Sequence, residues 1–243
     1  MKRSALLTFL LALSTIAFTA RGQNPPVINA SADVEAKSAA AKARSDAEQQ
    51  KKAAEWASSL KLDDAAKESR VTAVIANHLK VIRDWHNEHP YTTVPAGINP
   101  VTGKPLSQLD RQVIANSAIP KTVHENLMTG LRQDLTEEQV EGVLDKYTVG
   151  KVEFTMKGYK AIVPDLTAEE EKTILGFLKQ AREEAVDYKN MNQISAIFEI
   201  YKTKSEQYLN SNGRNWKHLY KAYTDDVKAK KAEATKQPVK PTQ

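Results

Sequence analysis

The chain has 243 residues, 27% of them charged, with 35 Lys and Arg against 30 Asp and Glu and no cysteine. Without thiols there is no disulfide framework, no thiolate metal site and no acyl-anchored cysteine. The formal charge of +5 sits largely at the two ends of the chain, whereas nucleic-acid binding asks for a basic stripe on the folded part, so no nucleic-acid partner is expected.

At the start, Lys2 and Arg3 precede the apolar run SALLTFLLALSTIAFTA, and Ala20 and Gly22 supply small residues at minus three and minus one before Gln23. This is the build of a secretory signal peptide over residues 1–22, and the expectation is a periplasmic or secreted protein. The run is too short to span a bilayer comfortably, so no membrane span is expected after cleavage. Loss of Lys2, Arg3 and Arg21 takes the 35 basic residues to 32 against 30 acidic, and the apparent basicity mostly disappears.

Residues 23–52 are rich in Ala, Lys, Gln and Ser and offer only small side chains for burial, which reads as a linker or stalk that can be helical without packing. The packed domain is expected over 53–231, beginning where Trp56 and Leu60 first show helical apolar spacing. Val71, Val74, Ile75, His78, Ile82, Trp85 and His89 then form one stripe at a period of 3.6.

Pro90 ends that helix by excluding its continuation, and a Pro/Gly-rich connection of about seventeen residues follows, longer than a compact domain usually keeps without a use. Arg83, Asp84, Trp85, His86 and Tyr91 meet at its root. They combine aromatic faces with ionisable and hydrogen-bonding groups suited to a sugar acid, and form the candidate ligand site. A plainer reading has Trp85 and Tyr91 pinning the loop to the bundle. HNEHP (residues 86–90) is neither the His-Glu-x-x-His zinc arrangement nor its inverse, and His78 and His89 lie on the apolar stripe as packing histidines do; no metal is expected. GINPVTGKP has five residues between Gly97 and Gly103 and a proline after Lys104, where a phosphate loop has four and then Ser or Thr. There is no Gly-x-Ser-x-Gly elbow and no dinucleotide fingerprint, so no cofactor is expected.

DLTEEQVEGVL (134–144) and DLTAEEEKTIL (165–175) echo one another as two capping boxes, with Thr136 or Thr167 capping and Gln139 or Glu170 reaching back, and Leu135 stapling Val140. Between them KVEFTMKGYKAIVP fits both periods: Val152, Phe154 and Met156 alternate like a strand, while Val152, Met156, Tyr159 and Val163 fit a helix. Gly158 would cost a helix about 1 kcal/mol relative to Ala. Ile174, Leu178, Ala181 and Ala185 form a further helical stripe, followed by Ile194, Ile197, Phe198, Tyr201 and Tyr208, and by Trp216, Leu219, Tyr220, Tyr223 and Val227. Paired acids such as Asp63 and Asp64 or Asp225 and Asp226 sit where solvated faces hold them. Residues 232–243 read as a disordered basic tail. The fold class is therefore all-α, a multi-helix bundle with one long Pro/Gly loop between helices.

Two resemblances bear on function. LTEEQ is similar to the Leu-Thr-x-x-Gln signature that small periplasmic helical chaperones carry twice, although the second copy here has Glu170 in place of Gln. VTAVIANHLKVIRDWHNEHP, DLTEEQVEGVLDKYTVGKVEFTMKGYKAIVPDLTAEEEK, LKQAREEAVDYKN and AIFEIYKTKSEQYLNSNGRNW together resemble an uncharacterised secreted Bacteroidetes family, a domain of unknown function. That resemblance implies export, a helical fold and an association with plant-polysaccharide use, particularly pectic. It carries no catalytic residues over.

Three functions follow as expectations. The first is a noncatalytic accessory or binding protein for pectic oligosaccharide. The second is a carbohydrate-active lyase or hydrolase, with His86 or Tyr91 moving the proton, Arg83 holding a uronate carboxylate and Asp84 as a candidate acid. The third is a chaperone-like role.

Overall fold

The computed structural model describes residues 30–100 and 102–236. The signal peptide and residues 237–243 lie outside them. The chain divides into two compact units, Met1–Ala43 and Arg44–Gln243. The described part of the first is helical, and its residues 34–43 are exposed.

Nine helices and no strand occur among the described residues: α1 (Ala30–Ser58), α2 (Ala65–Glu88), α3 (Gln108–Ser117), α4 (Lys121–Asp134), α5 (Glu137–Thr148), α6 (Lys151–Ile162), α7 (Ala168–Ala185), α8 (Met191–Ser211) and α9 (Trp216–Lys236). The fold is an all-α bundle. The ambiguous segment is α6: α5 ends on Val149 and α6 starts on Gly150, both left-handed at φ 53° and 65°, the second a conformation that glycine adopts without a steric penalty. Val152, Met156 and Tyr159 then face inward while Phe154 is 77% exposed, the outcome of the period of 3.6.

The second unit has two apolar cores. One joins Ala53 and Ala57 of α1 to α2, α4 and α5. Gly130 lets α4 lie close on α2, since a Cβ there would stand 2.7 Å from a methyl of Val74. The other core is built by α6, α7 and α8, with Trp216 and Leu219 of α9 against it.

Packing begins before the expected boundary at Ala53. Arg83 on α2 is 6% exposed and donates from Nη1 to Ser45 Oγ (3.0 Å) and from Nε to Asp84 Oδ1 (2.8 Å). Its Nη1 also lies 2.7 Å from Asp46 Oδ1, an ion-pair contact off the hydrogen-bond axis. A buried cation thus recruits small polar residues of α1 that hydrophobic spacing does not register. At the other end α9 runs to Lys236, five residues into the segment expected as a disordered tail from 232; Lys221–Asp225 and Lys230–Asp226 pairs at i, i+4 favour the helix there.

The long loop is ordered by hydrogen bonds rather than by a core. A short 3-10 turn covers Tyr91–Thr93, Ile98 and Pro105 form an isolated antiparallel bridge, and Arg111 donates to Val94 O from Nε and Nη2. Ser107 and Asp110 close a capping box where the loop enters α3.

Both expected boxes form, on Thr136 with Gln139 and on Thr167 with Glu170. Glu170 does more than cap. It is 4% exposed and receives Arg214 Nε at 2.9 Å and Nη2 at 2.7 Å, while Arg214 Nη1 reaches Asp165 Oδ1 at 2.7 Å. The arginine, then the Thr167 backbone N–H, hold the Glu170 carboxyl at about 2, against an ordinary 4.5. Its contribution is present above pH 4.5 and is lost as pH falls toward 2. Glu170→Ala removes the acceptor for the Thr167 N–H and strands Arg214, and is expected to cost about 3 kcal/mol in urea unfolding. Glu170→Gln keeps an acceptor for the Thr167 N–H and should cost roughly half as much; a Gln variant as stable as wild type would mean the ion pair contributes nothing.

Candidate functional site

The five residues of the loop root are brought together at the end of α2, but their polar groups are largely engaged by the protein. Arg83 is held by Ser45, Asp46 and Asp84. Trp85 donates from Nε1 to Ala115 O (3.3 Å) and stacks on His89 with ring centroids 3.7 Å apart. His86 Nδ1 is 3.2 Å from Gln193 Nε2. Burial, then Lys189, lower its pKa, so the neutral ring accepts from the amide. Tyr91 donates its backbone N–H to Gln112 Oε1 (2.8 Å) and lies under the Arg111 guanidinium. These contacts pin the loop. None of the five lines the cavities of about 690, 540 and 120 Å³ among the described residues.

A groove of about 690 Å³ opens instead along α6, α8 and α9. Trp216, Tyr220 and Tyr223 line it from α9 at i, i+4 and i+7, one face of a helix. Trp216 stands 5.2 Å from Tyr159 and 6.0 Å from Tyr220, centroid to centroid, the second pair near parallel at 27°. Tyr159 anchors the floor, donating its hydroxyl to Lys202 O (3.1 Å). Phe154 and Tyr220, 77% and 51% exposed, leave ring faces open to solvent.

Gly158 lies on α6 in the lining, and a Cβ built there meets no atom within 4 Å. Packing does not demand a glycine at this position, and the helix gives up about 1 kcal/mol for it; what the missing side chain leaves open is the groove. Lys157, Lys202 and Glu206 supply its charges. The lysines pair with Glu153 and Glu199, both largely exposed, at 2.7 and 2.9 Å. Exposed pairs of this kind exchange for a ligand at little cost. Burial, then Glu199, raise the Glu206 carboxyl above its ordinary value, with Lys202 opposing.

With helices, loop and groove defined, comparison with known families assigns the chain. Residues 46–229 match the model for DUF3826, a protein of unknown function. The chain belongs to the DUF3826 family. No curated protein matches it. The DUF3826 match begins at Asp46, the α1 carboxylate that meets Arg83. It also takes in all of the groove's lining.

A polar constellation lies elsewhere in the DUF3826 domain, on residues that sequence spacing does not connect. Asp187, in the turn after α7, receives His78 Nε2 on Oδ1 (2.9 Å) and His124 Nδ1 on Oδ2 (2.9 Å). His78 Nδ1 is 3.1 Å from the buried Tyr147 hydroxyl, and His124 Nε2 lies 3.6 Å from Glu183. Among the described residues no group of three or more His, Asp or Glu is arranged to hold a metal ion, and no helix is long and apolar enough to cross a membrane.

Hydrogen bonding to Asp187 raises the His124 pKa above 6.5, against the opposing effect of burial. Burial alone would raise the Asp187 carboxyl, but the hydrogen bonds from His124 and His78 bring it below 3.8. The His124 contribution is complete below pH 6.5 and is lost as pH rises through its folded pKa; that of Asp187 is present above pH 3.8 and is lost as pH falls through its own. The stability difference between wild type and His124→Gln should therefore be largest between pH 3.8 and 6.5 and shrink above it. A difference that stays constant from pH 5 to pH 9 in denaturant unfolding would contradict the charged pair.

Proposed function

We propose that this DUF3826 protein is an exported accessory protein that binds plant cell-wall glycan, pectic oligosaccharide in particular, in the groove between α6, α8 and α9. One observation carries the reading: an aromatic stripe on one side of an open groove, a glycine where a side chain would obstruct it, and two lysines on displaceable partners. Apolar ring faces suit the C–H faces of sugars, and Lys157 and Lys202 suit uronate carboxylates. Glu206 and Thr155 offer acceptors to hydroxyls. The signal-like N-terminus supports export, and the resemblance to secreted polysaccharide-use proteins supports the ligand class.

Binding is favoured over turnover because the groove holds a single carboxylate, Glu206, among its charged lining residues, whereas glycosidases usually set two across the scissile bond. The test is calorimetric titration of the mature protein with oligogalacturonides, followed by overnight incubation and analysis of the ligand. Tyr220→Ala and Phe154→Ala, at exposed positions that leave the cores intact, should each weaken binding about tenfold, or about 1.4 kcal/mol. Lys157→Ala with Lys202→Ala should flatten the salt dependence. Full affinity in all these variants, with affinity lost in Trp85→Ala or Tyr91→Ala, would return the site to the loop root. New reducing ends or unsaturated products from wild type would make the protein an enzyme.

A further inference from the structure

We propose that a separate cavity of about 540 Å³, bounded by the end of α3, the start of α4, the end of α7 and α8, is a second ligand site, one for a small organic cation that also carries hydroxyl groups. Its volume lies within the range of small-molecule pockets. Two largely buried side chains in its wall carry a polar group with no protein partner, and neither group is among the fully enclosed unpaired atoms of the described residues. Asn116, 2% exposed, accepts on Oδ1 from Gln112 Nε2 (2.8 Å), and among the hydrogen bonds of the described residues its amide N–H₂ has no acceptor. Tyr188, 5% exposed, has no hydroxyl partner among the described residues. Both residues line the cavity, so a guest there can take up bonds that water otherwise makes.

Charge selects the guest. Glu125, Glu183, Glu184 and Asp187 line the cavity against Lys121 and His124. The His124–Asp187 pair is internally balanced, which leaves three carboxylates facing one lysine. Lys204, 4.0 Å over the Tyr201 ring, is outside the lining. Glu184 is oriented by the Tyr201 hydroxyl (2.9 Å), and Glu183, half exposed, has only the 3.6 Å contact to His124. An ammonium donates to these carboxylates, while the Asn116 amide requires an oxygen acceptor. A hydroxylated amine satisfies both; a uronate of the same size meets the carboxylates with like charge.

The probes are glucosamine, glucose, which keeps the shape but loses the charge, and glucuronate, which reverses it. In calorimetric titrations of the full mature protein, glucosamine should bind at millimolar concentration or tighter and the other two at least tenfold more weakly. Glu183→Gln with Glu184→Gln should lower glucosamine affinity tenfold or more, and Tyr188→Phe, which removes the unpartnered hydroxyl without changing the charge, should lower it severalfold, both with unchanged far-UV circular dichroism. Tyr220→Ala in the groove should leave it unchanged, which separates this site from the glycan groove. No binding of glucosamine at 10 mM, equal binding of all three probes, or full affinity in the double glutamine variant would overturn the proposal. Loss in Tyr220→Ala alone would assign the amine to the groove and overturn it equally.

Discussion

Asp187 is the point on which the two cores of the second unit meet. Its carboxylate is largely buried, and a buried charge is tolerated only when paired and hydrogen-bonded. Both oxygens are satisfied by imidazoles, from α2 through His78 and from α4 through His124, while Tyr147 of α5 backs His78. One side chain in the α7–α8 turn therefore gathers three helices of the first core around the end of the second. Arg182 and Lys179 extend the seam by pairing with Asp145 and Glu141 of α5. Apolar faces would have let the cores slide over one another; directional bonds to one carboxylate fix a single docking.

That seam was the part of the molecule least open to reading from sequence. Hydrophobic period and capping chemistry are local, so the helices and both Thr boxes were legible, and α6 was ambiguous only because its apolar residues satisfy two periods at once. Hydrogen bonds between residues as far apart as His78 and Asp187 have no local trace. His78 could be recognised as a packing histidine on a stripe, and it is one, but its partner could not be named. Glu170, a departure from Gln at the matching cap, was the one visible hint of tertiary chemistry: a cap needs only an acceptor, and the charge serves Arg214.

The candidate site at the loop root is ambiguous for a related reason. A long Pro/Gly loop beside a cluster of aromatic and charged residues signals either a binding loop or an irregular segment that needs anchoring, and sequence does not separate the two. Here Arg111, Gln112 and Asn99 take up backbone groups of the loop, and Trp85 is spent on His89 and Ala115. On α9 the ambiguity runs the other way. Trp216, Tyr220 and Tyr223 continue an apolar stripe and read as core, yet Tyr220 is half exposed, because no further helix covers that face among the described residues.

Helix α8 forms a wall of both the groove and the cavity. Lys202 and Glu206, one turn apart, look into the groove; Tyr201, about 100° around the helix from Lys202, lines the cavity. Shared walls invite the idea that occupancy of one site is felt at the other, but coupling requires an element with two discrete arrangements that both ligands bias. α8 is a poor candidate. Ile197, Phe198 and Leu209 are buried in the second core, Asn190 caps its start, and its end is held through Arg214 to Glu170 and Asp165. A helix pinned at both ends and packed along its length transmits little, since close-packed interiors resist gradual deformation. Ligands at the two faces should therefore bind with additive free energies, each face keeping its own selectivity: stacking and cations on one side, carboxylates and unpartnered donors on the other.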